Sequence, residues 1–154
     1  MSDKITSIIQ KMEIEKVKIE NLKNEQIAAL KQLYSSVRSW IENSESKNVI
    51  EITEEETLDI RTGYTELAIK FTEVHGVTIR PYVSHPEDKF FVHVNYYKEF
   101  LGMSDLASSP ANTTKLIYSS GEWEIEPSVS FGQQNDKFTE ATFLDDIERK
   151  MFRN

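Results

Sequence analysis

Apolar residues recur at steps of three and four from the start of the chain. They run Ile5, Ile8, Ile9, Met12, then Val17, Ile19, Leu22, then Ile27, Leu30, Leu33, Tyr34, Val37, Trp40, Ile41. That period predicts one helix over residues 3–42, rich in Lys, Glu, Gln, Ala and Leu and free of Gly and Pro. Ser2 or Asp3 is the expected N-cap. At 1.5 Å per residue the rod spans about 60 Å, roughly twice the diameter of a small domain. A break near Asn21–Asn24 would fold it into two antiparallel helices. Without one, the helix outruns its own body.

Set in heptads with Ile5 at position a, the seam reads Ile5, Met12, Ile19, Gln26, Leu33 and Trp40 at a, and Ile8, Glu15, Leu22, Ala29 and Ser36 at d. Gln26, Glu15 and Ser36 weaken a strict coiled coil. The broader stripe from Ile27 to Ile41 suits packing on a sheet. The expectation is therefore divided. The C-terminal half docks on the body, while the N-terminal half needs another surface, for which a second copy of the chain is the simplest source. Packing within one molecule throughout is the alternative.

Beyond a polar linker at 43–48 the period changes to two. Val49–Thr53 reads as a strand that Glu54-Glu55-Glu56 interrupts, with Thr57–Arg61 resuming it. Thr62-Gly63 is a turn, and Tyr64–Val74 carries Leu67, Ile69 and Phe71 on one side. His75-Gly76 is the next turn signal. Val77–Val83 follows, with Pro81 suggesting an edge or a bulge. Ser84–Lys89 is a loop and Phe90–Tyr97 a strongly β-prone run. Lys98–Thr113 is irregular, a short helix or an apolar loop. Lys115–Tyr118 and Glu122–Glu126 form a hairpin about Ser119-Ser120-Gly121, with Val129 and Phe131 as an extension. Gly132–Lys137 is a polar loop. Thr139 caps a closing helix whose stripe is Phe143, Leu144, Ile147, Met151 and Phe152; with Thr142 in place of Glu or Gln, no full capping box is expected. The fold class expected is α+β: a long N-terminal helix, an antiparallel sheet of about five to six strands and a short C-terminal helix. Residues 1–42 form a helical arm, and 49–154 an α+β body that makes one compact domain with it.

Charge refines this picture. Residues 1–41 hold seven basic and five acidic side chains, a balance of +2, whereas the other eleven basic and twenty-one acidic residues give −10, making −8 in all. An acidic body with a mildly basic helix favours protein partners or self-association over nucleic acid. The absence of Cys excludes disulfides, thiol nucleophiles and Cys-based zinc sites. No apolar run approaches the roughly 20 residues of a membrane span, and Ile8-Ile9 runs straight into Gln10-Lys11 rather than a signal-peptide core. A cytoplasmic protein without membrane contact is expected.

Chemistry is sparse. His75, His85 and His93 are the three histidines, none at the spacing of a helical metal motif. Ser119-Ser120-Gly121 fits a hairpin turn rather than a nucleophile elbow. Glu122, Glu124 and Glu126 form an acidic row on a strand, opposite Trp123 and Ile125. The glycines stand singly, and none builds a phosphate-binding turn. No cofactor, metal or catalytic residue is assigned. Two features remain for binding. Phe91 and Tyr97 share the strand face opposite Phe90, Val92, Val94 and Tyr96 and need cover. Glu54, Glu55 and Glu56 lie in an acidic run suited to a basic partner.

The function expected is a non-enzymatic protein-binding module that occludes or holds a partner protein in the manner of an inhibitor, an immunity-type protein or a chaperone. It would form a homodimer through Ile5, Ile8, Met12, Ile19 and Leu22, in coiled-coil fashion, and meet the partner through Glu54, Glu55, Glu56, Phe91 and Tyr97. The alternatives are a metal-assisted hydrolase using His93 with His75 or His85, and an acidic mimic of nucleic acid.

Overall fold

The computed structural model describes residues 2–56, 63–84, 89–100, 103–105, 112–126 and 136–152. The first element, α1 (Ser2–Glu42), is one continuous helix. No break occurs at Asn21–Asn24, because nothing there, neither Gly nor Pro, interrupts the backbone hydrogen-bond ladder. Ser2 already lies inside the helix, so Asp3 acts in the first turn, where a negative charge complements the helix dipole.

A 3-10 turn at Lys47–Val49 leads into an antiparallel sheet. Its strands are β1 (Glu51–Glu56), β2 (Thr65–Lys70), β3 (His75–Ser84), β4 (Lys89–Phe100), β5 (Met103–Asp105), β6 (Thr113–Ser119), β7 (Glu122–Ile125) and β8 (Asp136–Lys137). The order is β1-β2-β3-β4-β6-β7-β8, with β5 pairing β4 beside this path. A closing helix, α2 (Glu140–Met151), ends the described chain. The α+β class stands, with more strands than expected because β5 and β8 are too short to show a period of two.

Tertiary pairing moves several boundaries. Glu54–Glu56 does not interrupt β1: these residues pair with Leu67, Glu66 and Thr65 of β2. An edge strand tolerates such a run, since its charges reach solvent. His75-Gly76 starts β3 rather than making the turn. The turn lies one step earlier, where Thr72 Oγ1 accepts the backbone N–H of Val74 and His75, and Phe71 N–H donates to the His75 carbonyl. Lys98–Phe100 continues β4 and folds back onto β5, in place of the helix or apolar loop expected there. The β6–β7 connection is a two-residue turn, with Ser120 at φ 52° and Gly121 at φ 83°, the left-handed geometry that matches hairpin twist. The capping box at α2 is complete. Thr142 N–H donates to Thr139 Oγ1, and Thr139 N–H donates to Thr142 Oγ1, so a threonine does the work usually done by Glu or Gln. The segments at 57–61, 106–111 and 127–135, and with them Val129 and Phe131, lie outside the described residues.

The core forms on one face of the sheet. Leu67, Ile69, Val77, Ile79, Phe90, Val92, Val94, Tyr96, Leu116 and Trp123 are buried against Ala29, Leu30, Leu33, Tyr34, Val37 and Ile41 of α1. Trp40, Phe138 and Phe143 pack ring on ring at 5.5–5.8 Å and join α1 to α2. Leu144 and Phe152 leave the expected α2 stripe and are exposed; Asp146 is buried instead. Besides an exposed ion pair from Arg38 to Glu54, side-chain hydrogen bonds fix α1 on the body. Trp123 Nε1 donates to the Ala29 carbonyl at 3.0 Å, and Tyr64 OH donates to Gln26 Oε1 at 2.5 Å. Tyr34 OH lies 2.5 Å from the Thr65 carbonyl and 3.1 Å from that of Ile79. The β2–β3 ladder stops at Leu67 and Ile79, and Pro81 has no N–H to extend it, so the phenol supplies a donor where the ladder ends. Gln26, a flaw in the coiled-coil seam, is thus a buried anchor of the helix–sheet contact.

Candidate functional site

Two surfaces meet the description of a site. The first is the helical arm. Residues 3–21 of α1 are exposed along their whole length, and the first core contact comes near Gln26. Ile5, Ile8, Ile9, Met12 and Ile19 are 43–60% exposed. Leu22, the last of the expected self-association residues, is half-buried where the arm meets the body. This stripe prolongs the one that Leu30, Leu33, Val37 and Ile41 bury on the sheet. The helix therefore presents one apolar stripe, interrupted by Glu15 in the arm and by Gln26 at the junction, of which the body covers half. Packing within one molecule throughout, the alternative reading, does not occur among the described residues.

The lysines on either side of the stripe are absent from the residues that the a and d positions select. Lys4, Lys11 and Lys18 repeat at seven residues along one margin, and Lys16 and Lys23 along the other. Their signal is the same heptad period, read at e and g.

The second surface is the sheet face away from the helices. Phe91, His93, Asn95 and Tyr97 of β4 lie there, half-buried. The Phe91 ring sits under Lys115 Nζ at 4.0 Å, and Lys115 pairs with Glu126 at 3.2 Å. Tyr97 crosses Gly76, where any Cβ would collide with its ring and hydroxyl. His93 stacks on Tyr82 at 4.3 Å, and Thr113 donates to Asn95 Oδ1 at 2.8 Å. Neighbouring strands thus cover much of Phe91 and Tyr97 without a second layer.

The acidic residues do not form one patch. The register Ile52↔Ile69 places Glu54 and Glu56 on the helix side of β1 and Glu55 on the opposite side, across from Glu66. Glu54 is engaged by Arg38 at 3.3 Å and Thr65 at 3.1 Å. The five residues expected to bind a partner therefore divide, with Glu55, Phe91 and Tyr97 on one face and Glu54 and Glu56 on the other. In the acidic row of β7, Glu122 pairs with Lys137 at 3.1 Å.

The histidines do not converge. His75 pairs in register with Lys98 and lies on the helix side, beside Thr72 and the Phe152 ring. His93 lies on the other side and five register positions away, about 17 Å at strand spacing. These two cannot share an ion, and His85 lies outside the described residues. No cluster of three metal-ligating side chains occurs among the described residues.

Burial pushes the His93 imidazole below its ordinary pKa of 6.5; the Lys115 charge adds to the shift and Glu126 opposes it. The unfolded chain therefore takes up this proton first as pH falls. His93 contributes stability above pH 6.5 that is lost on acidification through the lower folded value. Urea midpoints measured from about pH 7.5 down to about pH 5 should fall less steeply in His93→Gln than in the parent chain. An identical slope would place the acid sensitivity elsewhere.

No family model, no curated protein and no solved structure matches this chain. No helix among the described residues is long and apolar enough to cross a membrane.

Proposed function

We propose that this protein is a non-enzymatic protein-binding module, which holds or occludes a partner protein and offers its N-terminal helix to another polypeptide. One observation carries the reading: some twenty residues of α1 extend past the sheet with an uncovered stripe of Ile5, Ile8, Met12 and Ile19. An exposed row of large apolar side chains of that kind is characteristic of an interaction site. Helical stability in proteins comes mostly from tertiary packing of an amphipathic face, which the arm lacks by itself, so the arm gains from being covered. A second copy and a different polypeptide both satisfy this need.

The test is the double variant Ile8→Asp/Met12→Asp. Size-exclusion light scattering of material from the native source should give a mass above that of the 17.9 kDa chain. The variant should return to the single-chain mass with its thermal midpoint unchanged. Single-chain mass for both proteins would refute the reading.

A further inference from the structure

We infer that the occupant of the arm is an acidic amphipathic helix from a different polypeptide rather than a second copy of this chain. The inference rests on the reading of α1 as a protein-binding arm and names the partner's chemistry.

In the frame with Ile5 at a, the g positions are Lys4, Lys11 and Lys18, followed by Glu25 where the arm meets the body, and the e positions are Ile9, Lys16 and Lys23. Side chains at e and g flank the a/d seam and decide which helices pair and in what direction. A second copy in parallel would set Lys11 against Lys16 and Lys18 against Lys23. In antiparallel pairing, g faces g and e faces e, and lysine again meets lysine through the middle of the arm. The d position of the central heptad is Glu15, which would face its own copy across a parallel seam. Repulsive contacts in both orientations are how coiled coils exclude a wrong partner. The residues that exclude the second copy specify the alternative: a helix with apolar a and d positions, Glu or Asp at e and g, and a basic side chain in the layer that meets Glu15. From Lys4 to Leu22 the contact would run about 28 Å.

An anionic membrane surface fits less well. Residues 3–25 carry five lysines and five acids (Asp3, Glu13, Glu15, Glu20, Glu25), so the arm has no net charge to draw it to anionic lipid. The strongly acidic body would be repelled as well.

Two designed three-heptad peptides test the inference on the full chain. Both have Leu at a and d and Lys at the central d; one has Glu at every e and g, the other Lys. The acidic peptide should bind about tenfold tighter or better by fluorescence anisotropy. Its binding should weaken in high salt and vanish in Ile8→Asp/Met12→Asp, whose unchanged thermal midpoint shows that the body remains folded. Equal affinity for the two peptides would overturn the inference. A dimer of the purified chain in sedimentation, dissolved by the double variant, would also overturn it while leaving the arm a protein-binding element. Binding instead to phosphatidylcholine–phosphatidylserine vesicles of about 3:1 composition would overturn the inference and the protein-binding reading together. Failure to bind either peptide, a second copy or vesicles would do the same.

Discussion

Replacing Asp146 by Ala should destabilise the protein by about 3–5 kcal/mol, lowering the thermal midpoint by on the order of 10 °C. Asp146 is 5% exposed and stands on the buried side of α2. Its Oδ2 accepts from Thr114 Oγ1 at 2.8 Å and from Tyr96 OH at 3.2 Å, while Oδ1 accepts from Arg149 at 2.6 Å. Burial pushes the Tyr96 phenol well above its ordinary pKa, and the neighbouring Asp146 charge reinforces this, so the phenol stays a neutral donor. Truncation to Ala orphans two buried hydroxyls, each costing about 1–3 kcal/mol. The exposed guanidinium is the lesser partner, since water replaces what it loses. Arg149→Ala should therefore cost under about 1 kcal/mol. Asp146→Asn should fall between, keeping one carbonyl acceptor but losing the charge. Thermal unfolding of the three variants measures this order. A loss in Arg149→Ala equal to that in Asp146→Ala would show that the ion pair, not the buried hydroxyls, dominates.

Leu33→Ala and Ile8→Ala should differ by several kcal/mol although both residues belong to one apolar stripe of one helix. Leu33 is 2% exposed beneath the sheet, and its truncation leaves a cavity costing about 2–5 kcal/mol. Ile8 is 43% exposed and touches no core, so its truncation should stay within about 0.5 kcal/mol of zero in the unpartnered chain. Urea unfolding gives both values. Amide exchange gives the same contrast along the backbone: residues 3–21 should exchange much faster than residues 26–41, because only the latter are held by tertiary packing. Comparable protection over the whole helix at high dilution would mean that the arm does not need a cover.

The candidate surfaces were legible to different degrees. The apolar stripe could be read from spacing alone, because helical periodicity is local, but that its first half stays uncovered required the structure, since a break at Asn21–Asn24 would have folded it back. The lysine margins were encoded in the same heptads, at positions next to those that the apolar residues define. The division of Glu54, Glu55 and Glu56 between two faces was hidden until the register Ile52↔Ile69 set the parity of β1. The separation of His75 from His93 likewise required strand pairing, since sequence distance says nothing about which face or which end of a sheet a residue occupies.

By itself the sequence determined the helical character of residues 3–42, though not that they form one unbroken rod, together with the β-hairpin at Ser120-Gly121, the strand of Phe90–Tyr97 and the closing helix. Each of these depends on contacts within one element or across one turn. The tertiary structure alone decided that Glu54–Glu56 extends an edge strand, that Lys98–Phe100 remains in β4, and that Asp146 is buried where a surface carboxylate would be expected. It also decided where α1 parts from the sheet, close to Gln26. These outcomes depend on hydrogen bonds and burial supplied by residues distant in the chain, which override local preference whenever a neighbouring strand or ring satisfies a group that its own segment leaves open.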